Sequence, residues 1–178
     1  MAHLYFTRHG KTVWNVENKI CGATDSPLTE LGHNQATSLG EKILNENLKI
    51  DEILYSPLSR AKDTAKHISE ITGIPCREEP RLMEQNFGKY ESTPRNGKEF
   101  QKAKENFIDS YGSGETMLKV AARIYNLIDD IKKQPEKTYL LVAHNGISRM
   151  IQSYFYDMTN EEFAAFGIRN CEIKEYKW

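Results

Sequence analysis

The sequence predicts an α/β fold, a three-layer α/β/α arrangement with a mainly parallel central sheet and a small helical lid insertion. Two observations predict it. Short apolar runs rich in strand formers, at Leu4–Thr7, Glu52–Tyr55 and Thr138–Ala143, alternate with longer segments whose apolar residues keep helical spacing. The third run is continuous and apolar, the pattern of a strand covered on both faces in a parallel sheet. No internal repeat, low-complexity tract or linker interrupts the alternation, so one domain over residues 1–178 is expected.

The elements follow in order. Leu4 to Thr7 is the first strand, and Arg8, His9 and Gly10 follow where it runs out into a loop. Asp25-Ser26-Pro27-Leu28-Thr29 is turn-rich, with Thr29 as a helix cap. From Glu30 to about Asn47 the apolar residues Leu31, Ala36, Leu39, Ile43 and Leu44 mark a helix. After the second strand, Ser56 reads as a cap and Pro57 as the first residue of a helix reaching Ile71, which Gly73 ends. Pro75 to Glu79 is an edge-like strand. Residues 80–114 are less regular, with a charged helical segment from Asn96 to Asn106, and read as the lid. A long helix from Glu115 to Lys133 places Val120, Ile124, Leu127, Ile128 and Ile131 on one face. His144-Asn145-Gly146 leads from the apolar strand into another helix, Thr159 and Glu162 form a capping-box pattern, and Cys171 to Tyr176 is a last strand.

Composition excludes several classes. A chain of 178 residues buries about 70% of its unfolded surface, enough for a substantial core. With 39% hydrophobic and 28% charged residues it is neither disordered nor a membrane chain, and a net charge of -1 recruits neither nucleic acid nor anionic lipid. No apolar run is long enough to span a bilayer, and the first strand begins too early for a signal peptide. The three cysteines, Cys21, Cys76 and Cys171, are scattered and suggest neither a disulfide framework nor a zinc cage. A cytoplasmic monomer or homodimer is expected.

The chemistry sits at strand ends. The first strand delivers Arg8 and His9, the second Ser56 and, one turn on, Arg60. The apolar strand delivers His144, followed by the amides of a helix start. In parallel strands these groups share one edge, where ligands bind in open α/β sheets. A guanidinium offers a planar fork to phosphate oxygens, an imidazole is a nucleophile near neutral pH, and Gly10 lets backbone approach an anion. Taken singly, Arg60 is an ordinary helix charge, His144 a satisfied strand-end histidine and Glu84 a loop carboxylate. A structural role does not place two histidines and two arginines at successive strand ends. Metal binding is disfavoured, because the arginines repel a cation and no carboxylate stands at ligand spacing from either histidine.

Thr7-Arg8-His9-Gly10-Lys11-Thr12-Val13-Trp14-Asn15, Cys21-Gly22 and Asp25-Ser26-Pro27-Leu28-Thr29-Glu30-Leu31-Gly32 form the first blocks of an ordered pattern. Tyr55-Ser56-Pro57-Leu58-Ser59-Arg60-Ala61, Glu84-Gln85-Asn86-Phe87-Gly88, Gly114-Glu115-Thr116 and Val142-Ala143-His144-Asn145-Gly146 complete it. In these blocks the chain resembles the histidine phosphatases, also called the phosphoglycerate mutase superfamily. It departs at Lys11, where Glu is more usual, and at Asn145, where Gly is commoner; Asn tolerates left-handed backbone geometry.

The resemblance implies a metal-independent phosphomonoesterase of the histidine acid phosphatase type, without cofactor, acting on a small phosphorylated metabolite. His9 would form a phosphohistidine and Glu84 would serve as general acid and base. Arg8, Arg60, Asn15 and His144 would hold the phosphoryl oxygens, with Asn145 beside them, and Cys21 and Gly22 would line the substrate side through backbone. Replacing Arg60 is expected to cost activity with little change in melting temperature. Mutases of the cofactor-dependent type usually have Arg and His where Gln85 and Asn86 stand, a longer insertion after the acid block and a covering tail. A phosphatase is therefore expected, with a mutase or a non-catalytic phospho-ligand binding module as the alternatives. The charges at Arg95, Lys98 and Lys102 in the lid read as a solvated helix face with a secondary reading in substrate choice, and Lys11 as pointing to solvent.

Overall fold

The structure, a computed structural model, describes residues 2–178. A five-stranded sheet with order β3-β2-β4-β1-β5 forms the middle layer. β1 (His3–Arg8), β2 (Glu52–Tyr55), β3 (Cys76–Glu78) and β4 (Tyr139–Ala143) are parallel, and β5 (Ile173–Lys177) runs antiparallel along the β1 edge. This is the α/β arrangement with a mainly parallel sheet that the sequence predicts.

β4 shows why its composition is unbroken. Leu140 and Val142 face α2 (Glu30–Asn45) and α3 (Ser59–Thr72), with Leu39, Ile43, Ile53, Ala65 and Ile68. Tyr139, Leu141 and Ala143 face α5 (Met117–Lys132) and α6 (Asn145–Phe155), with Val120, Ile124, Leu127, Ile147 and Ile151. Both faces of the strand are dry, so neither alternating position can be polar.

Several caps match the sequence. Thr29 Oγ1 accepts from the Gly32 N–H, Thr159 and Glu162 form a reciprocal box before α7 (Asn160–Ala165), and Gly73 ends α3 in the left-handed region at φ 74°. Other boundaries are corrected. α3 starts at Ser59 behind Leu58, which offers no capping side chain, while the Ser56 hydroxyl bonds His144 and accepts from the Leu58 N–H. A short helix, α1 (Val13–Val16), is capped by Thr12 with Asn15 reaching back, a pairing that needs no apolar periodicity. α4 spans just Lys98–Ala103, and β5 begins at Ile173 because Cys171 adopts a left-handed φ of 56°. Residues 80–114 carry two 3₁₀ turns and α4 around Ile20, Phe87, Phe100, Ala103 and Tyr111, an apolar cluster separate from those on the two sheet faces. Among the described residues, no helix is long and apolar enough to cross a membrane.

Candidate active site

The register of the sheet assembles the site. Arg8 stands opposite Ala143, and Tyr55 opposite Val142. His9 N–H donates to the Ala143 carbonyl at 3.0 Å and Ser56 N–H to that of Val142 at 3.1 Å. The residues following β1, β2 and β4 thus meet at one edge.

The two imidazoles are held in opposite senses. His9 Nδ1 lies 2.7 Å from the Gly10 carbonyl, which can only accept, so Nδ1 carries the proton and Nε2 the lone pair. His144 Nδ1 accepts from Arg60 Nε at 3.3 Å, so its proton sits on Nε2, which donates to Ser56 Oγ at 2.6 Å. The rings lie 5.2 Å apart between centroids. Burial first, then the Arg60 and Arg8 guanidinium groups, hold the pKa of His9 well below the ordinary imidazole range. His144 is held down by burial, then by Arg60 and His9.

This has a consequence for stability. Both imidazoles stay neutral in the folded protein and take up protons in the unfolded chain below about pH 6.5. The unfolded state then binds more protons, so stability falls as pH drops below that value, with a limiting slope of about 2.7 kcal/mol per pH unit for the pair. Calorimetry between pH 7 and 5 should show a falling melting temperature. His9→Ala should flatten the fall, and an equal slope in that variant contradicts the assignment.

Arg60 lies behind His9 and is fully buried. Its five N–H groups all find protein acceptors: His144 Nδ1, the carbonyls of Cys21, Gly22 and Thr24, and Asp25 Oδ1. It therefore also fastens residues 21–25 to α3. Arg60→Ala leaves buried carbonyls unpaired and should destabilise the fold by about 3–5 kcal/mol. A fall in melting temperature on the order of 10 °C is expected alongside lost activity, where the sequence suggested little change. An unchanged melting temperature refutes this role.

In front of His9 a cleft of about 680 Å³, counting its open mouth, is lined by Arg8, Asn15, Cys21, Glu84, Arg95, Lys104, Asn145 and Arg149, with Ile20, Phe87 and Phe100 as apolar wall. Arg60, His144 and Gly22 do not reach its surface. Arg8 Nη1 donates to the Ile168 carbonyl at 3.1 Å, while its buried Nε has no partner. Burial, and next the charge of Arg95, lower the Arg8 pKa to about 10. Asn15 Oδ1 accepts from the Thr12 N–H and from Asn170 Nδ2, which leaves its own amide nitrogen for the cleft. Glu84 is the one carboxylate among the described lining residues. Its oxygens accept from the Gln85 and Gly146 N–H groups, both at 2.9 Å. Two other carboxylates near it in sequence are occupied elsewhere. Glu91 accepts three backbone N–H bonds from Gly22, Ala23 and Phe87, and Glu115 pairs with Arg123 at 2.8 Å.

Other expectations shift on contact with the geometry. The Gly10 amide donates to Thr64 Oγ1 rather than facing an anion, and a Cβ there would lie 2.3 Å from the Gly32 carbonyl oxygen. The glycine permits helix-loop packing. Asn145 begins α6 without left-handed geometry, and its Oδ1 accepts from the Ile168 N–H at 3.0 Å. The Cys21 thiol donates to the Thr24 carbonyl, and burial raises its pKa, so it is no ready nucleophile. Lys11 lines a separate groove with Gln35, Lys42 and Arg169. Lys98 and Lys102 are exposed, whereas Arg95 reaches the cleft. Two cations the sequence reading passed over, Lys104 and Arg149, also reach it. Arg149 had a signal, since it falls four residues after Asn145 on the same helix face. Lys104 had none. Among the described residues, no cluster of His, Cys, Asp and Glu is arranged to hold a metal.

The chain as a whole has counterparts among known proteins. A probable phosphoglycerate mutase of Yersinia pestis is 31% identical over 97% of this chain and 83% of its own length. A mycobacterial glucosyl-3-phosphoglycerate phosphatase, solved in complex with VO3, superposes with a TM-score of 0.86 at 26% identity, covering 98% of this chain and 90% of that one. Bacillus stearothermophilus YhfR does so with a TM-score of 0.83 at 27% identity, covering 98% and 90%. The family model of the histidine phosphatase superfamily (branch 1) matches residues 4–178, so this chain belongs to that superfamily.

Proposed function

We propose that the protein is a metal-independent phosphomonoester hydrolase that works through a phosphohistidine on His9. The carrying observation is the free lone pair of His9 Nε2, on a ring kept neutral, in a cationic cleft beside a single fixed carboxylate. Nε2 attacks phosphorus, the P–N bond forms and the P–O bond to the alcohol breaks. Glu84 in its protonated form gives that oxygen its proton. Water then attacks phosphorus, Glu84 takes a proton from it, and the P–N bond breaks to release phosphate and His9. Arg8 and the free amide of Asn15 hold the phosphoryl oxygens, and the Arg60–His144–Ser56 chain fixes the field behind the nucleophile.

The named mutase relative gives a second reading, transfer of the phosphoryl group to an acceptor alcohol. The side chains after the acid do not favour it. Gln85 Nε2 donates to the Glu115 carbonyl, Asn86 Oδ1 accepts from the Gly88 N–H, and neither lines the cleft. Release of p-nitrophenol and inorganic phosphate from p-nitrophenyl phosphate should proceed unchanged in EDTA. Loss of turnover in chelator with recovery in magnesium overturns the mechanism, and phosphoryl transfer to phosphoglycerate outpacing phosphate release would favour the mutase.

A further inference from the structure

The backbone around His9 is gripped from three sides. His9 N–H donates to the Ala143 carbonyl of β4 at 3.0 Å, and the next amide, Gly10 N–H, donates to Thr64 Oγ1 of α3 at 3.0 Å. The His9 carbonyl shares a rigid plane with the Gly10 N–H, and it accepts from Asn170 Nδ2 at 2.8 Å. The set of that plane decides where the Gly10 carbonyl lies. The Gly10 carbonyl in turn holds His9 Nδ1 at 2.7 Å and so selects the tautomer with the lone pair on Nε2. Asn170 therefore acts on the ring from one peptide away.

The same amide reaches Asn15. Asn170 Nδ2 lies 3.3 Å from Asn15 Oδ1, which also accepts from the Thr12 N–H at 3.1 Å. Two donors on one oxygen fix the sense of the Asn15 amide, and with it the nitrogen left for the cleft. An asparagine carries two amide hydrogens. Here one goes to the backbone of the nucleophile and the other to a side chain that faces the phosphoryl group. An ionised aspartate of the same shape could donate to neither.

The course of the chain brings Asn170 to this place. β5 pairs antiparallel with β1 from His3 to Thr7, and a straight continuation would set Glu172 against Arg8. Instead Asn170 bridges Arg8 in the parallel sense. The direction changes at Cys171, whose φ is 56° and whose N–H donates to the Arg8 carbonyl at 2.9 Å. A residue with a Cβ enters that left-handed region at a cost that a straight strand would avoid.

We propose that Asn170 is a positioning residue for phosphoryl transfer: through the His9 carbonyl it aims the nucleophilic ring, and through Asn15 it aims a donor at the phosphoryl oxygens. The assignment deepens the hydrolase reading and rests on it for the identity of the nucleophile.

Two variants test it, Asn170→Ala, which adds no charge, and Asn170→Asp, which keeps the shape and loses both hydrogens. Circular dichroism melting first establishes that each folds. In both, kcat/KM for p-nitrophenyl phosphate should fall on the order of 10²-fold, mostly in kcat, as a small misplacement of reacting groups does. Combined with Asn15→Ala, the Asn170→Ala loss should be smaller than in the wild-type background, because part of it passes through Asn15. Near-wild-type kinetics in the folded variants, or losses that simply multiply, overturn the proposal. NMR of ¹⁵N-labelled histidine reads the ring without turnover. Wild-type His9 should show one tautomer, with the proton on Nδ1, and Asn170→Ala should show a mixture together with weaker binding of orthovanadate. Both changes in a protein that hydrolyses nothing keep the positioning and refute the hydrolase. Neither change in an active enzyme refutes the positioning and keeps the hydrolase.

Discussion

His9→Ala should abolish turnover while the protein stays folded. The expected loss is on the order of 10⁴–10⁶ in kcat, because the proposed mechanism passes the phosphoryl group through His9. The ring makes one side-chain bond, to the Gly10 carbonyl, and the backbone bond from His9 N–H to Ala143 survives the substitution. Removing a buried imidazole also removes a group whose protonation burial and two arginines oppose. The melting temperature at pH 6 should hold or rise. Wild type mixed with radiolabelled substrate and quenched in alkali should carry phosphate that is stable to base and released by acid. A label retained in the variant would place the nucleophile elsewhere.

Glu84→Gln separates the two halves of the reaction. A proton donor matters most when the leaving alkoxide is poor. Single-turnover phosphoryl transfer from an alkyl phosphate should slow by about 10²–10⁴, and from p-nitrophenyl phosphate by less than about tenfold, since nitrophenolate leaves unaided. Dephosphorylation of His9 should slow for both, because it needs the same carboxylate. Gln presents an amide to one of two N–H groups that now donate to carboxylate oxygens, so a modest loss of stability accompanies the change. Gly146→Ala supplies the same test by another route. A Cβ there would stand 2.3 Å from Glu84 Oε1 and push the carboxylate aside, while alanine suits the helix. Equal slowing of both substrates in these variants would move the acid away from Glu84.

What the sequence disclosed follows from where the information lies. β4 was legible because a strand dry on both faces must be apolar throughout, and the strand ends were legible because polar groups resume abruptly at Arg8, Ser56 and His144. The part played by each group was less so. Ser56 read as a helix cap, since its partner His144 lies 88 residues away. Arg60 read as a site charge separable from the fold, because nothing local shows that residues 21–25 close over it. Gly10 read as letting backbone approach an anion and Asn145 as a left-handed loop position, and both proved to be packing and hydrogen-bonding positions set by Gly32 and Ile168. The 80–114 stretch was legible as irregular, but which of its charges face inward depends on how α4 settles on Phe87 and Tyr111, a tertiary matter.

The segment from Phe166 to Asn170 supplies acceptors or donors to much of the cleft: the Phe166 carbonyl to Arg149, Ile168 to Arg8 and Asn145, and the Asn170 amide to the His9 carbonyl and Asn15. These five residues leave the ribosome after every side chain they position. A growing chain can lay down β1, β2 and β4 and their helices, yet Arg8 and Arg149 lack these carbonyl partners, and Asn15 one of its two donors, until this segment emerges and β5 pairs with β1. The cleft is therefore complete only when the C-terminal segment is in place, so the last residues of the chain close a site whose other parts come from its beginning and middle.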